Sequence, residues 1–539
     1  VATRIRSLIP SAASDRAAMG ALVILAIAIA LIVAVGGGTS EPPPATGAAG
    51  VVPADALAYV HLSTDPSRPA VGRALRLALR LPSYPLALAA VESRVGAIAG
   101  GSPNVDFVRD VQPWLGREAA LALLNTPSST AGSLVVLDVR ERRAAQQFLD
   151  RAGALAAGSY RGAQLLRYST GTELSFVKHY LVLGQDASVR AAIDVASGAS
   201  SSLQGNPAYR RAAAGEPADR VLDAYASVAG VRRLLAPQGG IVGALGVLLY
   251  QPALTGTAIS LSAGDRALRV RVHSALDPTL ARVNRPRPAT FTPDLDTIVP
   301  AGTMLMLDVT GLDKLAPHVL DAGAAGGIAG RLGPLLSRLG GALTSQGFNT
   351  QDVVSLFSRE SVLAITSNGH KPSFVIVART ADESRARTAL AALEAPLAQL
   401  FPPAPAGPGQ APLFNDRQID GVTAHQLKLA PGLEFDYAVA HGLVILATGL
   451  DGIGAVVRQA RPLVNDSAYR ETLAARPHQL TSLLFLDFRQ LLRLGEQTGL
   501  TRSARFRALR GDLEKIRAIG LDATTGENDS TAELFLLIP

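Results

Sequence analysis

Apolar and polar positions along the chain form a pattern that occurs twice. Residues 173–197, ELSFVKHYLVLGQDASVRAAIDVAS, return in kind at 434–460 as EFDYAVAHGLVILATGLDGIGAVVRQA. In each copy two short apolar runs predict strands, and the helical spacing behind them predicts a helix. A matching motif follows each: Asn206-Pro207-Ala208-Tyr209-Arg210, then Asp466-Ser467-Ala468-Tyr469-Arg470. The two tyrosines are expected to anchor a helix to the sheet by ring burial.

The remainder keeps the same plan. Val52-Pro53-Ala54-Asp55 opens an extended run at 58–62 and a helix at 70–81, and Val299-Pro300-Ala301-Gly302 opens a run at 304–309. Arg117-Glu118 and Arg359-Glu360 each begin a strand, second strands follow at 133–139 and 373–378, and charged helices follow at 141–155 and 381–397. Closing strands fall at 258–262 and 268–273, then at 519–523 and 532–538. Paired strands with helices between the groups define an α+β fold: two tandem repeats, each a largely antiparallel sheet faced by helices. Repeat I spans 51–284, a Pro-rich joint 285–298, and repeat II 299–539, with a loop insert at 401–412.

Residues 17–35, AAMGALVILAIAIALIVAV, carry no charge and as a helix match the ~30 Å hydrocarbon core of a bilayer. Arg4, Arg6 and Arg16 precede them, which predicts a single-pass transmembrane helix with a cytoplasmic tail at 1–16. A cleaved signal peptide is the alternative, with a shorter apolar core as its usual mark. Residues 36–50, GGGTSEPPPATGAAG, read as a flexible linker that holds an extracytoplasmic part off the membrane.

Composition narrows the chemistry. Cys is absent, which removes disulfides, thiolate metal sites and a Cys nucleophile. The net charge of +7 is unevenly divided: 26 basic against 18 acidic residues at 41–290, but 22 against 25 at 291–539. A basic first half and a mildly acidic second half favour docking of the halves or an anionic partner for one of them. Aromatics make up only 5%, and no Arg run has rings interleaved, so nucleic-acid binding is not expected.

The Val-Pro-Ala-Asp opening, the strand-then-charged-helix order and the Asp186-Ala187-Ser188-Val189-Arg190 helix start together resemble an uncharacterised bacterial family, domain of unknown function 3352. The resemblance implies a membrane-anchored protein with a large outer part and brings no functional residue with it.

No catalytic, cofactor-binding or metal-binding residue emerges. His61, His179, His273, His318, His370, His425, His441 and His478 lack the close spacing of metal ligands. His179 and His441 stand at matching places and read as turn or surface residues. Ser175 and Lys178 have Ser-x-x-Lys spacing, but in a strand they face opposite sides, and the companion motifs are missing. The pairs Asp294/Asp296 and Asp219/Asp223 read as caps or solvated acids, Thr448 with Asp451 as a capping box, and Arg510-Gly511-Asp512 as chance within a helix. Residues 323–330 read as close-packed helix or loop. Residues 239–254 are apolar but broken by glycine, and a helix at 501–517 puts Phe506, Leu509, Leu513 and Ile516 on one face. The first suits an apolar cavity or a membrane contact, the second an anionic lipid surface, and both suit ordinary helix packing.

The expectation is a single-pass cell-envelope protein, N-terminus cytoplasmic, with a duplicated non-catalytic binding ectodomain for lipid or another apolar ligand. An envelope scaffold that binds protein is the first alternative, and a hydrolase with a site assembled only by the fold is the second.

Overall fold

A computed structural model describes residues 42–98, 106–125, 132–235, 253–280, 289–313, 355–367, 372–400, 414–430, 433–459, 461–497 and 504–539. The tail at 1–16, the apolar segment at 17–35, the insert at 401–412 and the stretch at 323–330 lie outside them, as does most of 239–254. Among the described residues no helix is long and apolar enough to cross a membrane.

Repeat I contributes β1 (Ala58–Ser63), β2 (Leu115–Leu124), β3 (Gly132–Val139), β4 (Leu155–Tyr160), β5 (Ala163–Arg167), β6 (Glu173–Val177), β7 (Tyr180–Gly184), β8 (Arg220–Ser227), β9 (Leu254–Ala263) and β10 (Ala267–Leu276). Repeat II contributes β11 (Leu305–Val309), β12 (Ser361–Ser367), β13 (Pro372–Arg379), β14 (Asn415–Ile419), β15 (Val422–Ala430), β16 (Leu433–Ala440), β17 (Leu443–Ala447), β18 (Ser482–Leu486), β19 (Ala518–Thr525) and β20 (Asp529–Leu537). The fold is α+β, and the strand pairings are antiparallel.

The pairings place repeat I in the order β4-β5-β6-β7-β3-β2-β1-β8-β9-β10. Repeat II takes the matching order β14-β15-β16-β17-β13-β12-β11-β18-β19-β20. The closing strands β10 and β20 pair with each other, Ala267 opposite Leu537 through Ala275 opposite Asp529. One sheet therefore runs through both repeats. Because equivalent strands meet antiparallel, a pseudo-twofold axis passes through the sheet at this seam.

The sheet has two unlike faces. On the inner face the helices Asp186–Ala196 and Pro207–Ala212 bury Val189, Ile193 and Tyr209 against Leu134, Val136 and Val182, and Leu450–Arg458 and Ser467–Leu473 do the same in repeat II. Asn206 and Asp466 cap the short helices, accepting from the amides of Ala208 and Ala468, each at 2.8 Å. Tyr209 meets Tyr225 edge-on at 5.3 Å and Tyr469 meets Phe485 at 5.2 Å, the anchoring expected of the repeated motif. On the outer face the charged helices Arg142–Arg151 and Glu383–Leu400 cover only the wings, packing Phe148 and Leu149 near Leu181, and Leu390 and Leu393 near Val444.

Both repeats start earlier than their composition suggests. Gly47–Gly50 is a 3-10 turn with Ala48 and Ala49 buried, so the linker read at 36–50 is folded chain from residue 42. In the joint read at 285–298, Leu295–Thr297 forms the matching turn, with Leu295 and Asp296 buried. The reason is a shared bond. Glu118 accepts from the amides of Gly47 and Ala48, and Glu360 accepts from those of Asp294 and Leu295. In each repeat a strand carboxylate, buried for Glu118 and half-buried for Glu360, holds the turn in place.

Candidate functional site

Charged groups inside strands give each repeat a polar centre on its inner face. His61 lies opposite Ala120 in β2, and Asp308 lies opposite Val362 in β12, each two positions past the matching glutamate. The two are therefore structural equivalents. His61 is fully buried, its Nδ1 2.9 Å from Asp223 Oδ1 and its Nε2 3.3 Å from Glu118 Oε2. Burial alone would lower its pKa, but Asp223 and Glu118 outweigh that and hold the imidazolium to about 9. Arg220 Nε completes the cluster at 3.0 Å from Asp223.

Repeat II replaces that cation with an acid. Burial, then the charges of Glu360 and Asp296, push Asp308 up to about 9, so it is neutral at pH 7. Asp296 is held by Tyr469 Oη and Arg476 Nη2, both at 2.6 Å. A cleft of about 390 Å³ opens over Tyr469 and Arg476, with His478 at its rim, but those two side chains are bonded to each other and to Asp296. Asp223 and Asp296 are thus buried members of charge clusters, not the caps or solvated acids that their spacing suggested.

Other singled-out residues fall as follows. Ser175 donates to Gln164 O at 2.8 Å, while Lys178 is exposed in the turn after it. That turn pairs Val177 with Tyr180, and its counterpart pairs Ala440 with Leu443. The register matches Lys178 with His441, so His179 and His441 are not equivalents. Thr448 accepts from the Phe374 amide at 3.0 Å, and Gly449 occupies the N-cap position, so the capping box with Asp451 does not form. Arg510, Gly511 and Asp512 lie within Ala504–Leu513, as expected. Of the apolar residues read there, Leu509 is exposed. Among the described residues no group of acids and histidines is arranged to hold a metal ion.

The outer face carries the least expected feature. In an antiparallel sheet with one buried face, the opposite positions are normally polar. Here directly paired residues form an aliphatic row across the strands. In repeat I, Leu222 lies opposite Leu261, and Leu261 opposite Val270. At the seam Val270 faces Leu534, which continues to Leu521, Leu484 and Leu307. Leu307 faces Leu363, then come Ile376 and Leu446. None of these side chains is buried, and Leu363 is 39% exposed. A parallel row two residues along runs from Phe374, 51% exposed, through Ile365, Leu305, Leu486 and Ile519 to Leu536. Ten strands at ~4.8 Å give the first row a length of roughly 43 Å. Helices cover it in part: Pro69–Ala78 packs on it at Leu261 and Leu268, and Glu383–Leu400 shares a cluster with Leu446. Such a floor offers hydrocarbon a continuous dry contact and gives polar atoms no partner.

A two-repeat antiparallel sheet with helices on one face and a partly exposed aliphatic row on the other, among the described residues, thus defines the architecture. The chain belongs to a family described as a protein of unknown function, DUF3352, whose model matches residues 17–538. No curated protein matches it. Among solved structures it is similar to crystal form IV of TP0453, at 11% identity and a TM-score of 0.25, covering 44% of this chain and 87% of that one. For crystal form I of TP0453 the values are 11% and 0.27, with 45% and 81% covered.

Proposed function

We propose that the protein binds ligands with long hydrocarbon chains, lipids foremost, along the aliphatic row of the sheet's outer face, and that it does so at the cell envelope, anchored by residues 17–35. The observation that carries this reading is the unbroken row from Leu222 to Leu446 at positions where alternation calls for polar residues. Its side chains are aliphatic, a lining suited to flexible chains more than to flat rings. Catalysis is not part of the proposal.

Native mass spectrometry of the full chain tests it. The protein should carry lipid that organic solvent releases, and Leu363→Glu should retain at least about five times less at an unchanged thermal midpoint, since Leu363 is already partly in water. A wild-type chain that stays free of lipid after incubation with phospholipid vesicles would sink the reading.

A further inference from the structure

We infer that the cleft over Tyr469 and Arg476 is a binding site for an organic phosphate, a phosphate ester either free in solution or carried as a lipid headgroup. The site lies beside the inner-face helix Ser467–Leu473 and is separate from the aliphatic row, so it stands whether or not hydrocarbon binds there.

The charge of the lining comes first. Arg470, Arg476 and His478 line the cleft and no carboxylate does. They do so in the half of the chain that carries more acid than base, 25 against 22 at 291–539. The acid behind the cleft, Asp296, is buried and already holds Tyr469 Oη and Arg476 Nη2. Among the described residues Arg470 and His478 have no carboxylate partner. An anion in the cleft supplies the countercharge that the protein withholds.

Arg476 is also held ready. Its Nη1 donates to Tyr469 Oη at 2.7 Å and its Nη2 to Asp296 Oδ2 at 2.6 Å, which fixes the guanidinium plane and leaves its remaining N–H groups as donors. Thr292 Oγ1 accepts from Gln479 Nε2 at 3.1 Å and keeps its own O–H to donate. Donors thus come from three places in the chain: Thr292, the helix bearing Arg470, and the loop bearing Arg476 and His478. The oxygens of a phosphate diverge to meet donors from several sides, whereas those of a carboxylate lie in one plane. At about 390 Å³ the cleft has room beyond a bare phosphate, and Val464 and Leu473 give it an apolar wall for an organic body.

Repeat I provides the contrast. Tyr209 and Tyr469 are 260 residues apart, as are Asp223 and Leu483, which face His61 and Asp308 in the register. The same spacing sets Glu216 where Arg476 stands and Ala218 where His478 stands, with Pro217 matching Pro477. Repeat I builds the same helix and strand with an acid and a methyl group at these places. Packing therefore does not require the two basic residues of repeat II.

Isothermal titration calorimetry of the full chain with glycerol 3-phosphate and with dihexanoyl phosphatidic acid tests the site. At least one should bind, and Arg470→Ala with His478→Ala should weaken it at least about tenfold at an unchanged thermal midpoint, since both side chains are exposed. Phosphatidic acid binding about ten times more tightly than glycerol 3-phosphate assigns the lipid headgroup, and a smaller ratio assigns the soluble ester. No binding of either compound, or a double variant that binds as the wild type does, would overturn the inference. Glycerol 3-phosphate has no hydrocarbon chain, so its failure to bind leaves the outer-face reading untouched.

A second measurement needs no variant. Phenylglyoxal modifies exposed arginines, and the tighter of the two phosphates should protect Arg470 in peptide mass spectra while leaving its repeat I counterpart, the exposed Arg210, as reactive as before. Equal protection of both, or of neither, would remove the site.

Discussion

At position 61 the chain sets a histidine between two buried carboxylates, and at the matching position 308 it sets an aspartate beside one. The backbone around them is the same, but at pH 7 His61 is a cation and Asp308 is neutral, so their pH behaviour can be worked out separately. Asp308 has a folded pKa of about 9 against 3.8 in the open chain, so the folded state keeps a proton that the unfolded state releases. Stability therefore falls as pH rises from about 4 to about 9, by at most about 1.4 kcal/mol per pH unit. His61 contributes stability that is full below its ordinary 6.5 and is lost as pH passes about 9, so both groups weaken the fold in alkali. Asp308→Asn removes the first effect and keeps a donor toward Glu360. Urea denaturation should show the variant more stable than wild type at pH 8 and nearly equal at pH 4; equal gains at both would disprove the assignment. The extended run of β1 was legible in the sequence, but the partners of His61 were not, because Asp223 reaches it from a strand distant in the chain.

At the scale of elements, hairpin turns show what local sequence encodes. Lys178 has φ 56° and His441 φ 55°, left-handed values that cost an L-residue roughly 1 to 2 kcal/mol and cost glycine almost nothing. Lys178 is exposed, so Lys178→Gly should raise stability by about 0.5 to 1 kcal/mol in urea titrations, and a loss would mean that the side chain is needed. The same turn chemistry marks strands absent from the sequence reading. Asp420 and Gly421, with φ 50° and 83°, close the β14–β15 hairpin, and Arg161 and Gly162, at 46° and 80°, close β4–β5. An Asp-Gly between alternating runs is a strong hairpin signal and was available. By contrast, the paired strands and helix of the repeated stretch, and the two capped tyrosine helices, were readable because each is specified within a few residues.

For the whole molecule, the duplication and the opposite charge balance of the halves were legible, whereas the union of both repeats in one sheet was not, since pairing of β10 with β20 joins the last strands of units more than 200 residues apart. A charge pair at the axis favours pairing of the halves with each other over pairing with copies of themselves. The β9–β10 turn closes with Gly264 N donating to Ala267 O at 2.9 Å, and the β19–β20 turn with Gly526 N donating to Asp529 O at 2.9 Å. Counting four residues on from Ala267 and Asp529 gives Arg271 and Glu533, which are therefore equivalent, and they are also direct partners in the register. A repeat I homodimer built on the same strand would set Arg271 against its own copy, and a repeat II homodimer would set Glu533 against its own; like charges directly opposite destabilise a sheet. Residues 1–284 and 285–539 produced as separate chains should accordingly associate one to one, by size-exclusion chromatography and native mass spectrometry. Glu533→Arg should weaken that association by about five- to tenfold, and Arg271→Glu in the other chain should restore it. Homodimers forming as readily as the mixed complex would show that the seam is specified by its aliphatic face alone.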